Sequence, residues 1–216
     1  LVSESERRLF LERIPAGNVM AVPNGVDADY FRPDHASPLS KNGPVLVFTG
    51  AMDYRPNAEG AIWFARRVFP EIRKVHPDAV FYIVGNRPTP EVRSLETEDG
   101  VAVTGFVEDV RDYVALADVC VAPLRIARGI QNKVLEGMAM GKAVATTPEG
   151  AEGIRAEAGK ELAIVSGERE FAKVVLSLLA DPEARARMGA NARATIEARY
   201  AWEHHLSILE ELFRKP

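Results

Sequence analysis

Lys133 and Glu136 sit at the start of a helical pattern that follows a polar, glycine-bearing loop, Ile126-Ala127-Arg128-Gly129-Ile130-Gln131. The pattern runs from Asn132 to Met140, stops at Gly141 and feeds the strand-like run Ala143 to Thr146. A loop entering a helix presents unpaired backbone N–H groups, and such groups hold anions. A lysine in the first helical turn opposes the helix dipole by roughly 0.3–1 kcal/mol, so its placement calls for a negative partner, and phosphate is the natural one. A carboxylate in the same turn accepts two hydrogen bonds at once, which suits the hydroxyls of a sugar or a ribose. The competing role for both residues is a solvated helix face.

The elements that must position this pair are legible from periodicity. Val45 to Thr49 is a continuous apolar run that ends at Gly50, the pattern of a strand buried on both faces of a parallel sheet. From Asn57 the period becomes helical, with Ala58, Ala61, Ile62, Ala65, Phe69 and Ile72 on one stripe and Pro70 as a kink or restart. Further strands are expected at Val19 to Val22, Val80 to Val84, Val101 to Val103, Val119 to Ala122 and Leu162 to Val165. Helices are expected at Ser3 to Arg13, Pro90 to Leu95, Val110 to Ala117, Glu168 to Ala180, Pro182 to Ala198 and Trp202 to Phe213. Alternating strands and helices predict an α/β fold, a doubly wound parallel sheet. Ligands in such sheets lie outside the carboxyl ends of the strands. Gly50, Gly85, Gly105, Pro123 and Thr146 all fall at those ends, so the candidate motifs converge on one rim.

Composition narrows the partners. The chain has 216 residues, 47% of them hydrophobic, and a net charge of −4. A chain of this length buries roughly 70% of its unfolded surface and needs no staples. The acidic balance argues against nucleic acid as the main partner. Cys120, the one cysteine, lies in an apolar strand run and fits a reducing cytoplasm. No apolar run approaches the length of a transmembrane span, and the four scattered histidines show no metal-ligand spacing, so no metal is expected. Leu1 in place of Met, with no signal peptide after it, points to a piece of something longer.

Several segments carry a resemblance. Val22-Pro23-Asn24-Gly25-Val26-Asp27 with Tyr30-Phe31-Arg32-Pro33, Phe48 to Asn57, Ile83-Val84-Gly85, Gly105-Phe106-Val107, Lys133 to Gly141 and Tyr200-Ala201-Trp202-Glu203 appear in the order found in family-four retaining glycosyltransferases. The resemblance covers about Asn18 to Phe213 and is nearest to a bacterial sugar-transferase branch associated with exopolysaccharide loci. It implies the Rossmann-like, nucleotide-sugar-binding C-terminal half of a GT-B enzyme, spanning about residues 18–199. It further implies a helix at about 202–213 that crosses back to an absent N-terminal domain carrying the acceptor site.

The resemblance also assigns roles. Glu136 matches the second carboxylate of the family's Glu-x7-Glu pair, the ribose clamp, while the first position is Arg128, a reversal of charge. The cations usual after the phosphate-loop glycine are replaced by Ala51 and Asn57, which leaves Arg55, Arg128 and Lys133 as substitutes. Arg128 and Lys133 are the candidate catalytic cations. Gly50, Gly85, Gly129 and Asn132 are expected at the phosphates, and the backbone of Val107 at the base. Phe106 and the turn Glu149 to Gly153 are read as core and as a simple turn. The implied function is retaining transfer from a UDP-, GDP- or ADP-sugar to a glycan or lipid-linked acceptor, without a metal or other cofactor. The implied location is cytoplasmic, extending to the inner membrane face for a full-length protein. A nucleotide-sugar epimerase and a non-enzymatic nucleotide-sugar-binding module are the alternatives.

Overall fold

The apolar run that begins at Val45 forms the central strand of a parallel sheet, buried at every position. The computed structural model describes residues 1, 4–15, 19–22 and 24–202. The strands are β1 (Val45–Thr49), β2 (Val80–Val84), β3 (Val101–Gly105), β4 (Val119–Ala122), β5 (Ala143–Thr146) and β6 (Ala163–Ile164). They lie in the order β3-β2-β1-β4-β5-β6, all pairings parallel. The order reverses between β1 and β4, which opens a crevice at their carboxyl ends.

The helices are α1 (Glu4–Arg13), α2 (Arg55–Trp63), α3 (Phe69–Val75), α4 (Pro90–Arg93), α5 (Val110–Leu116), α6 (Asn132–Ala139), α7 (Glu168–Ala180) and α8 (Pro182–Arg199). Alternation along β1 builds a core on each face. Leu46 and Phe48 join Phe64, Phe69, Phe81 and Phe171 under α2, α3 and α7. Val45 and Val47 join Val134, Leu135, Met138 and Ile196 under α6 and α8. Full burial of each large apolar side chain is worth about 1.5–3 kcal/mol, so both faces are anchored independently.

Pro70 acts through the turn before it. A π-helical segment, Phe64–Val68, widens the helix between α2 and α3, and Pro70 lies in the first turn of α3. Proline in a regular helix clashes with the carbonyl four residues back; the wide turn relieves that clash. Phe64, Val68, Phe69 and Ile72 all stay in the core as a result.

Two features hold α6, whose first turn carries the candidate site. A Cβ on Gly137 would come 3.1 Å from Val144 Cγ2 and 3.3 Å from Cys120 Cβ, so the helix lies flat on β4 and β5. Its C-terminal end is fixed by Arg193 of α8, whose Nη1 donates to the carbonyls of Ala139, Ala28 and Phe31 at 2.8–2.9 Å. Cys120 is buried as expected, and burial pushes its thiol up to about 12.

Some expectations do not hold. Residues 19–22 form no strand: Val22 N–H donates to the carbonyl of Leu1, and the segment pairs with no strand of the sheet. The strand expected at Leu162 to Val165 shortens to Ala163–Ile164, at the sheet's edge. The helix expected at Trp202 to Phe213 lies almost wholly outside the described residues, which end at Trp202.

Candidate functional site

The crevice beside β1 is a pocket of about 540 Å³. Its floor is the strand ends. Gly50 follows β1 with φ 153° and Gly85 follows β2 with φ 148°. A Cβ on Gly85 would stand 1.8 Å from the carbonyl oxygen of Gly50, so the two loops touch as bare backbone. Gly50 N–H donates to Val84 O at 2.9 Å, and Gly85 N–H to Gly105 O at 3.2 Å, which extends the ladder one residue past each strand.

The first turn of α6 forms one wall. Gln131 takes the cap position in extended conformation, and its side chain does not cap the helix. Its Nε2 donates back to the carbonyls of Arg128 (3.3 Å) and Gly129 (3.0 Å), closing the loop on itself. The N–H groups of Val134 and Leu135 both turn to Gln131 O. Among the described residues no acceptor faces the N–H groups of Asn132 and Lys133. The helix therefore opens on the pocket with unpaired donors. Asn24 Nδ2 reaches Asn132 Oδ1 at 3.4 Å, which ties the segment around Val26 to the same wall.

Lys133 and Glu136 both line the pocket, half-buried, without an ion pair between them. Lys133 Nζ rests on Gln131 Oε1 at 3.3 Å and lies 5.9 Å from the Phe48 ring. Burial pulls its ammonium down to about 8, against a smaller opposing pull from Glu136. Burial likewise pushes the Glu136 carboxyl up, partly offset by Lys133. Both charges are desolvated, and a polyanionic, hydroxylated ligand would satisfy each of them.

Asn57, in the first turns of α2, is 4% exposed and lines the same pocket. Its Nδ2 donates to Ala51 O at 2.9 Å, holding the loop after β1. Its Oδ1 is buried and meets no donor among the described residues.

The structure brings together Gly50, Gly85, Val107, Asn132, Lys133 and Glu136 around this pocket. It does not bring Arg55, Arg128 or Gly129 into the lining. Arg55 turns to solvent and donates to Glu59 at 2.7 Å, one turn along α2. Arg128 is exposed, and Gly129 takes φ 69° beside it. Phe106 is not core: it is 76% exposed at the pocket mouth, because Gly105 (φ 69°) turns the chain out of the sheet just before it. Asn86 lines the pocket, whereas Arg87 pairs with Asp53 at 2.9 Å. Residues 149–153 form a turn outside the lining. Asn24, Thr49 and Gln131 are pocket residues that sequence pattern alone does not single out, and Asn57, noted there only as the replacement of a cation, lines the pocket too.

His35, Asp109 and Asp112 come within ligand distance of one another, a grouping the sequence spacing hides. Each is already engaged. Arg111 forks onto both oxygens of Asp109 and holds its carboxyl below the usual range, and His35 Nε2 meets Asp112 Oδ1 at 2.7 Å. Among the described residues no helix is long and apolar enough to cross a membrane.

Comparison with known proteins gives concordant results. The model of a family described as glycosyl transferases group 1 matches residues 43–181. A GDP-mannose-dependent monoacylated alpha-(1-6)-phosphatidylinositol monomannoside mannosyltransferase of Corynebacterium glutamicum is 29% identical over 203 residues, covering 84% of this chain and 52% of the relative. A GDP-mannose-dependent alpha-(1-6)-phosphatidylinositol monomannoside mannosyltransferase of Mycobacterium tuberculosis is 29% identical over 222 residues, 93% of this chain and 57% of the relative. The chain thus spans about half the length of the curated relatives it matches. Among solved structures, the sucrose-phosphate synthase of Thermosynechococcus elongatus superposes with a TM-score of 0.79 at 21% identity, over 99% of this chain and 57% of that one.

Proposed function

The chain belongs to the glycosyl transferases group 1 family, and from that premise we propose that its pocket binds a nucleoside-diphosphate sugar for retaining transfer to a glycan or lipid-linked acceptor. One observation carries the reading. Lys133, the one cation lining the pocket among the described residues, stands beside unpaired helix N–H donors and one turn from Glu136, at the switch point of the sheet. In this reading Lys133 and the N–H groups of Asn132 and Lys133 hold the diphosphate. Glu136 accepts the ribose hydroxyls, Gly50 and Gly85 admit the phosphates against bare backbone, and the Val107 backbone faces the base. As the glycosidic bond breaks, negative charge grows on the leaving diphosphate. Fixed donors in a half-buried site stabilise that growth more than they stabilise the bound donor.

The mannosyltransferase names of the relatives support transfer over epimerisation or simple binding, and the phosphatidylinositol monomannoside in those names supports a lipid-linked acceptor. The acceptor groups belong, in this reading, to the part of the relatives' length that this chain does not match. The test is product analysis on the full-length protein supplied with UDP-, GDP- and ADP-sugars and lipid-linked or glycan acceptors. An α-linked glycoside with free nucleoside diphosphate is expected. An epimerised donor, or a bound donor that never reacts, overturns the reading.

A further inference from the structure

The amino ends of the strands, on the rim opposite Lys133, border a second hollow of about 410 Å³. Asp118 precedes β4 and Lys142 precedes β5. Roughly one strand length, about 15 Å, therefore separates this hollow from the pocket at Lys133. Lys41, Lys142 and Arg185 line it, and Asp118 is the one carboxylate that does so among the described residues. Both oxygens of Asp118 are taken. Oδ1 accepts from Lys41 Nζ at 2.7 Å and faces Arg185 Nη2 at 3.4 Å, and Oδ2 accepts from the Val45 N–H at 2.9 Å. His35 also lines the hollow and is engaged with Asp112 Oδ1. Three cations thus share one carboxylate, which leaves two positive charges over in a chain whose net charge is −4. Their other partners are carbonyls: Lys142 Nζ donates to Ala115 O, Lys41 Nζ to Leu116 O at 3.4 Å, and Arg185 Nη1 to Leu178 O and Leu179 O at 2.8 and 3.2 Å. A carbonyl satisfies a donor without neutralising its charge. Lys142 is half-buried and uses one of its three N–H donors on Ala115. Burial holds its ammonium below the ordinary value, and Lys41 and Arg185 push the same way. Like charges held this close repel one another, and a bound anion relieves that repulsion.

We propose that this hollow is a second anion site, which takes the phosphate monoester of a small organic molecule against Lys142, Arg185 and Lys41 at the foot of the sheet. A phosphate monoester carries close to two negative charges at neutral pH, which matches the excess of cations. Its oxygens accept hydrogen bonds in several directions, which suits an ammonium with donors to spare and a guanidinium beside it. Ala115, Pro182 and Ala186 line the same hollow, so carbon as well as charge is on offer to the organic part. The volume falls within the range of roughly 300–1,000 Å³ usual for small-molecule sites. The inference does not depend on what the pocket at Lys133 binds.

The experiment is isothermal titration of the full chain with glucose 6-phosphate, inorganic phosphate and chloride. The wild type should bind the ester more tightly than inorganic phosphate, and chloride should not displace it. Lys142→Met should weaken the ester about tenfold to a hundredfold, the loss of one charge-assisted contact. Lys133→Met, on the opposite rim, should leave it within about twofold. Because Lys142 also holds Ala115 O, Lys41→Met is titrated beside it; Lys41 is the more exposed cation, and its loss should weaken the ester in the same direction. Sedimentation with vesicles that contain or lack phosphatidic acid separates the sources of the phosphate. Retention by phosphatidic acid that Lys142→Met abolishes assigns the same chemistry to a lipid headgroup, and no retention assigns it to a soluble ester. A wild type that binds neither the ester nor phosphatidic acid overturns the proposal. So does an ester held no more tightly than chloride or inorganic phosphate. Loss in Lys133→Met equal to that in Lys142→Met would move the ester to the other pocket and overturn it as well. Unchanged affinity in both Lys142→Met and Lys41→Met would show that these cations serve only the carbonyls and the carboxylate they touch.

Discussion

The carbonyl oxygen of Gly50 occupies the space that a side chain on Gly85 would need: a Cβ there would lie 1.8 Å away. The ends of β1 and β2 therefore close on each other as backbone against backbone, and the pocket floor depends on that contact. Gly85→Ala should lower stability by roughly 2–4 kcal/mol and displace the loop after β1 that Asn57 holds through Ala51. Thermal melts and nucleotide titration on the same variant check this. Gly105→Ala is the comparison, since its φ of 69° carries strain but its Cβ would meet nothing; it should cost only about 1–2 kcal/mol.

Lys133 makes donor binding depend on pH. Its ammonium is drawn down to about 8 by burial, and a bound diphosphate favours the charged form. Affinity should be full below that value and fall as pH rises through it, with proton uptake on binding near pH 8. Titration calorimetry in buffers of different ionisation enthalpy reads that uptake directly. Lys133→Met should weaken binding roughly tenfold to a hundredfold and abolish the pH dependence.

Glu136 separates function from stability. Its carboxyl is pushed up by burial, so the charged form costs the fold something at neutral pH. Glu136→Gln should leave the melting temperature unchanged or raise it. The same change should weaken nucleotide binding by roughly 1.5–3 kcal/mol if the carboxylate accepts ribose hydroxyls. A drop in stability with unaltered binding would instead mark a helix-end charge with no ligand.

Arg128 is the candidate catalytic cation that does not line the pocket, exposed on a loop closed by Gln131. If it folds over Gly129 onto the diphosphate during reaction, Arg128→Ala in the full-length protein should lower kcat more than it raises KM. Arg128→Glu should be worse than Ala, because neither Ala51 nor Asn57 supplies a compensating charge. Wild-type behaviour in both variants would make Arg128 a surface cation, and a fully active Glu variant would show that the position works as a carboxylate.

The strands around the pocket were readable because each is a short apolar run closed by a glycine or a polar turn: Val45 to Thr49 before Gly50, Val80 to Val84 before Gly85. The start of α6 was readable for the same local reason, a polar loop giving way to helical period. Four things were hidden. A long side chain carries no sign of which way it turns, so Arg55 toward Glu59 and Lys133 toward the pocket look alike in sequence. Asn24 beside Gly25 reads as a turn residue and gave no hint of lining a pocket, and Asn57 stood out only as the replacement of a cation. Phe106 reads as core until the backbone of Gly105 turns it outward. The pairing of His35 with Asp112 depends on segments far apart in the chain and has no local signature.

The strand order has a consequence for synthesis. Among the described strands β1 comes first in the chain and is one of the two central strands of the sheet; its neighbour β2, and then β3 beyond it, follow directly. Its other edge waits for β4, which emerges from the ribosome only after those three strands and their crossovers. In that interval four apolar residues and Thr49, with open backbone donors and acceptors, are available to any other chain, the kind of edge that nucleates aggregation. The floor of the pocket at Gly50 and Gly85 thus exists while the wall bearing Lys133 and Glu136 has yet to be translated.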